Sequence, residues 1–266
     1  GDGMQLTGDR FTHDTANAGN DFSTLPNFPA EIRAPAGTVA GVSSFQLHFA
    51  DFDIRTPGDR PDVLVAMNPA ALKANLGDLA ANGLIIADTA DFTARNLAKV
   101  GYGSDPLTDG TLHGYQVVAL DLSGQASAAV AEFGLGRKDA VRTKNMYALG
   151  LLDWLYSRPV EGTIAFLERR FATSPQIRDA NIAALKAGYA FGETTEVFTN
   201  RFAVAPAPAP LGTYRQISGN RALAFGLMAG AAKAGLQLFL GAYPITPASD
   251  VLHYLAAAKD AGVMTF

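Results

Sequence analysis

The chain has 266 residues, a formal net charge of −4, 48% hydrophobic and 17% charged residues, and no cysteine. This length allows one large or two smaller domains, and the composition is that of an ordinary soluble globular protein. An acidic balance without a basic block argues against nucleic acid and anionic membrane as partners, and the missing cysteines exclude disulfides and any Cys-ligated iron–sulfur cluster held by this chain alone.

Gly1-Asp2-Gly3 precedes a stretch that reads as a helix from Met4 to Ala18, ended by Gly19. The chain opens inside a Gly-rich turn with no secretory signal, so its natural start is expected upstream, with a strand before the turn. Together with Gly8, the turn has the look of a phosphate-cradling loop. Leu6, however, stands where the third glycine of a dinucleotide fingerprint would fall. Two readings stay open: a tight turn with a glycine for close helix packing, or a contact for a pyrophosphate. Glu31 and Arg33 lie between Pro29 and Pro35, in a segment that cannot be a regular helix interior.

Ser43 to Phe49 alternates apolar and polar residues, as a half-buried strand does. Asp62 to Ala66 is a short apolar strand, Ala70 to Ala80 a helical segment, and Gly83 to Ala87 another apolar strand; Tyr115 to Leu120 reads as a further one. This is βαβ grammar and predicts an α/β fold with a largely parallel sheet and covering helices. From Lys138 the pattern turns helical, with helices over Ala140 to Tyr156, Val160 to Phe171 and Pro175 to Ala190. Lys144 and Asn145 read first as solvated residues of such a helix. Alternating prolines from Ala203 to Pro210 favour an extended polyproline conformation. The predicted organisation is one domain over 1–202, a linker over 203–214, and the beginning of a second α/β domain over 215–266.

In that second part, Ala222 to Leu240 reads as a buried helix followed by a strand reaching Ala242, not as a membrane span, because Lys233, Gln237 and glycines interrupt it. Tyr243-Pro244-Ile245-Thr246-Pro247 then forms an elbow, followed by a helix to about Ala261 and a strand from Gly262. Pro247 suits the first helical position and Thr246 the N-cap before it. The four histidines show no zinc spacing, so no metal site is predicted; His253, one helical turn past Ser249, reads as structural. Ser43-Ser44 lacks the Gly-x-Ser-x-Gly context of a serine hydrolase.

Gly219-Asn220-Arg221-Ala222 followed by Tyr243-Pro244-Ile245-Thr246-Pro247 resembles the thiamine-pyrimidine domain of 2-oxoacid:ferredoxin oxidoreductases. Pro-Ala-Glu-Ile-Arg at Pro29 to Arg33 and Ser-Ser-Phe-Gln at Ser43 to Gln46 resemble the gamma domain of the same enzymes. The order, gamma before alpha, is that of the fused alpha subunit of the 2-oxoglutarate type. The resemblance implies a gamma-type domain followed by the start of a thiamine-pyrimidine-binding domain. It also implies oxidative decarboxylation of 2-oxoglutarate to succinyl-CoA with electrons passed to ferredoxin; pyruvate or a branched-chain 2-oxoacid is the alternative substrate. Thiamine diphosphate with its Mg²⁺ and a [4Fe-4S] cluster would be held mainly by a partner beta subunit in an (alpha-beta)2 assembly in the cytoplasm, with coenzyme A as co-substrate.

By the same resemblance, Thr246 meets the 2-oxoacid carboxylate, and Tyr243, Pro244 and Ile245 line the thiamine pocket. Gly1, Asp2, Gly3 and Arg33 are the implied coenzyme A contacts; Lys144 and Asn145 are family-like loop contacts in second place. The pyrimidine-activating glutamate and later basic residues are expected beyond Phe266, so the chain alone is expected to be inert. Two other classes remain: a non-catalytic coenzyme A or acyl-binding module, and a nicotinamide-dependent dehydrogenase, against which the broken glycine pattern argues.

Overall fold

The computed structural model describes residues 3–27, 42–243 and 245–258, and divides the chain into two compact units, Gly1–Ala209 and Pro210–Phe266. The first unit opens with α1 (Met4–Asn17), followed by an antiparallel pair, β1 (Asp21–Asn27) and β2 (Ser44–Ala50). Three parallel strands come next, β3 (Val63–Ala66), β4 (Leu84–Asp88) and β5 (Gln116–Leu120), with β4 in the middle. Between them lie α2 (Pro69–Asn75) and α3 (Ala94–Lys99). After β5 the chain is helical: α4 (Leu122–Ala129), α5 (Arg137–Arg142), α6 (Lys144–Leu155), α7 (Glu161–Arg170) and α8 (Pro175–Thr194).

The parallel sheet follows from its central strand. Leu84-Ile85-Ile86-Ala87 is apolar on both sides and buried throughout, as a strand covered on both faces must be. Successive side chains alternate between faces. Leu84 and Ile86 join a core with Leu149, Leu155 and Leu185, while Ile85 and Ala87 join a second core with Leu72, Phe92 and Leu97. Helices begin where their caps allow. The Asn68 side chain accepts the Ala71 N–H (2.9 Å) ahead of Pro69, and the Asp121 carboxylate accepts the Gly124 N–H (2.7 Å).

Two glycines set the crossing of α6 and α8. A Cβ on Gly150 would lie 1.9 Å from the Leu185 carbonyl oxygen, and one on Gly188 1.9 Å from the Tyr147 carbonyl oxygen. No other residue permits that approach of two backbones.

Several expectations need correction. β1 escapes the sequence reading because Asp21-Phe22-Ser23-Thr24-Leu25-Pro26-Asn27 is polar and carries a proline. Its outer half is exposed, where an edge strand tolerates both. The expected helix over Ala140 to Tyr156 is two helices. The Thr143 hydroxyl bonds the Ala140 carbonyl (2.7 Å), a local bond that competes with the helix, and α6 restarts at Lys144. Residues 203–209 are not a free linker. Asn20 Nδ2 donates to the Ala205 carbonyl (2.6 Å), and the Ala207 N–H donates to the Gly19 carbonyl (2.9 Å).

The second unit contains α9 (Gly219–Ala234) and α10 (Ser249–Ala257). Ser218 caps α9 by accepting the Arg221 N–H (3.3 Å), and Gly235, with φ 67°, ends it. Only Ala224 of α9 is buried, and Leu223 and Phe225 are exposed, contrary to the expected buried helix. The strand expected up to Ala242 is reduced to a single bridge residue at Phe239, because no neighbouring strand is described to extend it. The strand expected from Gly262 lies outside the described residues.

Candidate functional site

In the first unit, polar chemistry gathers at the carboxyl ends of the parallel strands, where open α/β sheets place their sites. β4 ends in Asp88, which is fully buried. Its Oδ2 accepts the Ser123 hydroxyl (2.6 Å) and pairs with Lys144 Nζ (3.3 Å); its Oδ1 accepts the N–H groups of Ser123 (3.3 Å) and Ala90 (3.4 Å). Lys144 Nζ reaches a second carboxylate, Asp91 Oδ2, also at 3.3 Å. The lysine is 6% exposed, so the reading of Lys144 as a solvated helix residue is wrong. Restarting the helix at Thr143 turns its first residue inward.

Asp91 also lines a cavity of about 640 Å³ between the start of α1, β2 and the β3–α2 connection. Phe11, Leu47 and Met67 give it an apolar floor, and Thr7, Asn68 and Asn96 give it polar atoms. Lys99 is the cationic residue among the described residues that line it. A mixed lining with one cation at the rim suits an elongated ligand with an apolar stem and an anionic group.

The glycine turn meets this region from the other side. Gly3 has φ 79°, and a Cβ there would lie 1.9 Å from Asn145 Nδ2, so the turn packs directly on the first turn of α6. The Thr7 hydroxyl ties the same helices by donating to the Asn145 carbonyl (3.2 Å). Gly8 is a packing glycine: a Cβ would lie 2.3 Å from the Phe45 ring. Gly1, Asp2 and Arg33, with Glu31, lie outside the described residues.

In the second unit, the elbow is built differently from the expectation. α10 starts at Ser249 with Ala248 before it, so Thr246 is not its N-cap. The Thr246–Pro247 peptide is cis, which takes Pro247 out of the first helical position. Ser249 ties the elbow instead: its hydroxyl lies 2.9 Å from the Ile245 nitrogen and 3.2 Å from the Ile245 oxygen. Asn220 Nδ2 donates to the Pro247 carbonyl (2.9 Å), joining the Gly219-Asn220-Arg221 segment to the elbow. Among the described residues the Thr246 hydroxyl has no hydrogen bond, and Tyr243 and Ile245 are 78% and 54% exposed. Pro244 lies outside the described residues. His253 faces Asp250 at 3.9 Å and is exposed.

Asp88, Asp91, Ser123, Lys99, Asn220 and Ser249 were not singled out by the sequence reading. Asp88 carries a legible signal, a charged residue closing an apolar strand; the others depend on tertiary placement. Among the described residues, no group of three or more His, Asp or Glu side chains is arranged to hold a metal ion, and no helix is long and apolar enough to cross a membrane.

A family model described as pyruvate ferredoxin/flavodoxin oxidoreductase matches residues 1–191. The chain is 56% identical over 266 residues to the 2-oxoglutarate oxidoreductase subunit KorA of Mycobacterium tuberculosis, covering all of this chain and 41% of that protein. It is 28% identical over 138 residues to the alpha subunit of 2-oxoacid:ferredoxin oxidoreductase 1 of Aeropyrum pernix, over 51% of this chain and 20% of that one. Its fold is similar to that of the 2-oxoglutarate:ferredoxin oxidoreductase from Magnetococcus marinus, a structure with 2-oxoglutarate, coenzyme A and succinyl-CoA bound. The TM-score is 0.71 at 24% identity, over 99% of this chain and 41% of that chain.

Proposed function

The chain belongs to the pyruvate ferredoxin/flavodoxin oxidoreductase family, and from that premise we propose that it is part of the alpha subunit of a thiamine-diphosphate-dependent 2-oxoglutarate:ferredoxin oxidoreductase. The observation that carries this reading is the 56% identity to subunit KorA along the whole chain. In the proposed reaction, 2-oxoglutarate is decarboxylated, its acyl group passes to coenzyme A, and two electrons pass to ferredoxin through a [4Fe-4S] cluster. With no cysteine in the chain, the cluster belongs to a beta-type partner, as do the diphosphate and its Mg²⁺. The assembly is an (alpha-beta)2 complex in the cytoplasm.

The second unit fits one wall of a thiamine site. Tyr243 and Ile245 offer exposed apolar surface, and the Thr246 hydroxyl keeps its donor available. When bound, thiamine diphosphate supplies the electron sink for decarboxylation. Thr246 then donates a hydrogen bond to the 2-oxoacid carboxylate and orients it. Pro244 joins Tyr243 and Ile245 in excluding water from that face, while Asn220 and Ser249 hold the elbow to its shape.

Coenzyme A is assigned to the first unit. The Gly1-Asp2-Gly3 turn, Arg33 and Lys99 supply N–H groups and cations for the pyrophosphate. The cavity beside Thr7 and Asn68 takes the less polar arm. Calorimetric titration of the chain with coenzyme A tests this part. Arg33→Ala and Lys99→Ala should each weaken binding by about tenfold, the value of one charge-assisted contact. Unchanged affinity in both variants removes the pyrophosphate from this face.

A further inference from the structure

A second buried polar cluster lies away from both sites. Asp153, on the last turn of α6, is fully buried, and neither of its carboxyl oxygens has a hydrogen-bond partner. Asp14 of α1 is 1% exposed; its Oδ2 accepts the Thr163 hydroxyl (2.7 Å), and its Oδ1 has no hydrogen bond. Thr15 Oγ1 and Arg158 Nε are also buried without partners. The two buried guanidiniums do not neutralise Asp153 by direct pairing. Arg10 lies over the Phe166 ring at 4.4 Å with Asp14 Oδ1 at 3.9 Å, and Arg158 lies over the Phe49 ring at 5.2 Å.

Five orphaned polar atoms in one closed cluster are costly unless ordered water or protons satisfy them. Burial pushes the Asp153 carboxyl well above the usual carboxylate range, and the nearby Asp14 pushes it further, against the pull of Arg158 and Arg10. Burial raises Asp14 as well, with Glu161 adding to it, while the Thr163 hydrogen bond, Arg10 and Arg158 oppose. The other charged groups near Arg10 and Arg158 are Asp9, Arg169 and Tyr156. His13, half-buried beside Arg10, is held below its ordinary value by burial and stays neutral near pH 7.

The same turn of α6 holds the final segment of the first unit. Arg201 Nε donates to the Trp154 carbonyl (2.9 Å), the Phe202 N–H to the Leu155 carbonyl (2.7 Å), and the Ser157 hydroxyl to the Phe202 carbonyl (3.0 Å). The Arg158 N–H donates to the Asp153 carbonyl (2.6 Å), its Nη2 donates to Asn20 Oδ1, and Asn20 Nδ2 continues to the carbonyl of Ala205 (2.6 Å). Residues 201–207 are therefore fastened to the backbone on either side of Asp153 and to the side chain bonded to Arg158.

We propose that Asp153, Asp14 and Arg158 form a closed proton-and-water latch that keeps the last turn of α6 seated and thereby clamps residues 201–207 to the first unit. Protonated Asp153 donates to enclosed water bridging it to Asp14. When a base in solvent removes that proton, two carboxylates face each other across a buried space, the turn loosens, and the segment is released. A carboxyl raised on folding contributes stability that is present below its unfolded value, about 3.9, and lost as pH climbs through its folded value. The latch therefore holds at acidic and neutral pH and opens toward alkaline pH.

Hydrogen exchange of the 266-residue chain, corrected for the intrinsic pH dependence of amide exchange, tests the latch. Exchange over 201–207 should rise by about tenfold or more between about pH 6 and about pH 9, because each step of one pH above the folded value favours the deprotonated, open form by about tenfold. Asp153→Asn, a neutral mimic of the protonated acid, should flatten that rise. Infrared difference spectra of the wild-type chain should lose a protonated carboxylic acid band over the same range, and this measurement decides even where a variant fails to fold. An equal rise in wild type and Asp153→Asn, or no acid band in the wild type at neutral pH, overturns the proposal.

Discussion

Replacing Lys144 with methionine tests the organisation at the carboxyl ends of the strands. The substitution keeps most of the aliphatic stem and removes the charge between Asp88 and Asp91. Asp88 would remain fully buried with the Ser123 hydroxyl and the N–H groups of Ser123 and Ala90 as partners. Breaking a buried pair by removing one member costs about 3–5 kcal/mol. Three surviving donors place the loss near the lower end, about 3 kcal/mol, and the half-exposed Asp91 adds little because water screens it. That loss corresponds to a fall in Tm of about 6–12 °C for a domain of this size. Lys144→Met with Asp88→Asn removes both charges while keeping an acceptor for Ser123. It should recover about half of the loss, a coupling of about 1.5 kcal/mol. Urea unfolding of the wild type, the two single variants and the double variant measures the cycle. A loss below about 1 kcal/mol for Lys144→Met, or strictly additive variants, would show that the pair does not act as a buried unit.

Gly188→Ala should cost about 1–3 kcal/mol despite the higher helix propensity of alanine, because its Cβ would meet the Tyr147 carbonyl oxygen at 1.9 Å. Gly150→Ala should behave alike, with the double variant costing less than the sum, since one separation of α6 and α8 serves both; thermal denaturation reads this directly. In the complete enzyme, Thr246→Val should lower kcat/KM for the 2-oxoacid by about 10–100-fold through the lost hydrogen bond to an ionised carboxylate, and Thr246→Ser should restore most of it. Because Thr246 caps no helix, the same valine should change stability by no more than about 0.5 kcal/mol. An unchanged kcat/KM removes Thr246 from the substrate site.

The parallel sheet was legible because Leu84-Ile85-Ile86-Ala87 can be satisfied only by burial on both faces, and Gly3 and Gly8 were legible as turn and packing glycines. Lys144 was not. A lysine near a helix start ordinarily faces water, and its inward turn depends on a helix break at Thr143 and on carboxylates 53 and 56 residues away in sequence. β1 was missed because its pairing partner, not its own composition, makes it a strand. At the elbow, local rules favoured a Thr246 cap. The cis peptide and the Ser249 hydroxyl overrode them, leaving Thr246 without a structural bond among the described residues. The contacts among Asp14, Asp153 and Arg158 join α1 to the far end of α6, and no sequence spacing announces them.

The most direct measurement is ferredoxin reduction by the complete protein containing this chain, purified anaerobically with its beta-type partner. The account predicts reduction that requires both 2-oxoglutarate and coenzyme A, yields succinyl-CoA and carbon dioxide, and exceeds the rate with pyruvate. Ferredoxin reduction independent of coenzyme A, or no turnover of any 2-oxoacid by the reconstituted complex, would contradict it.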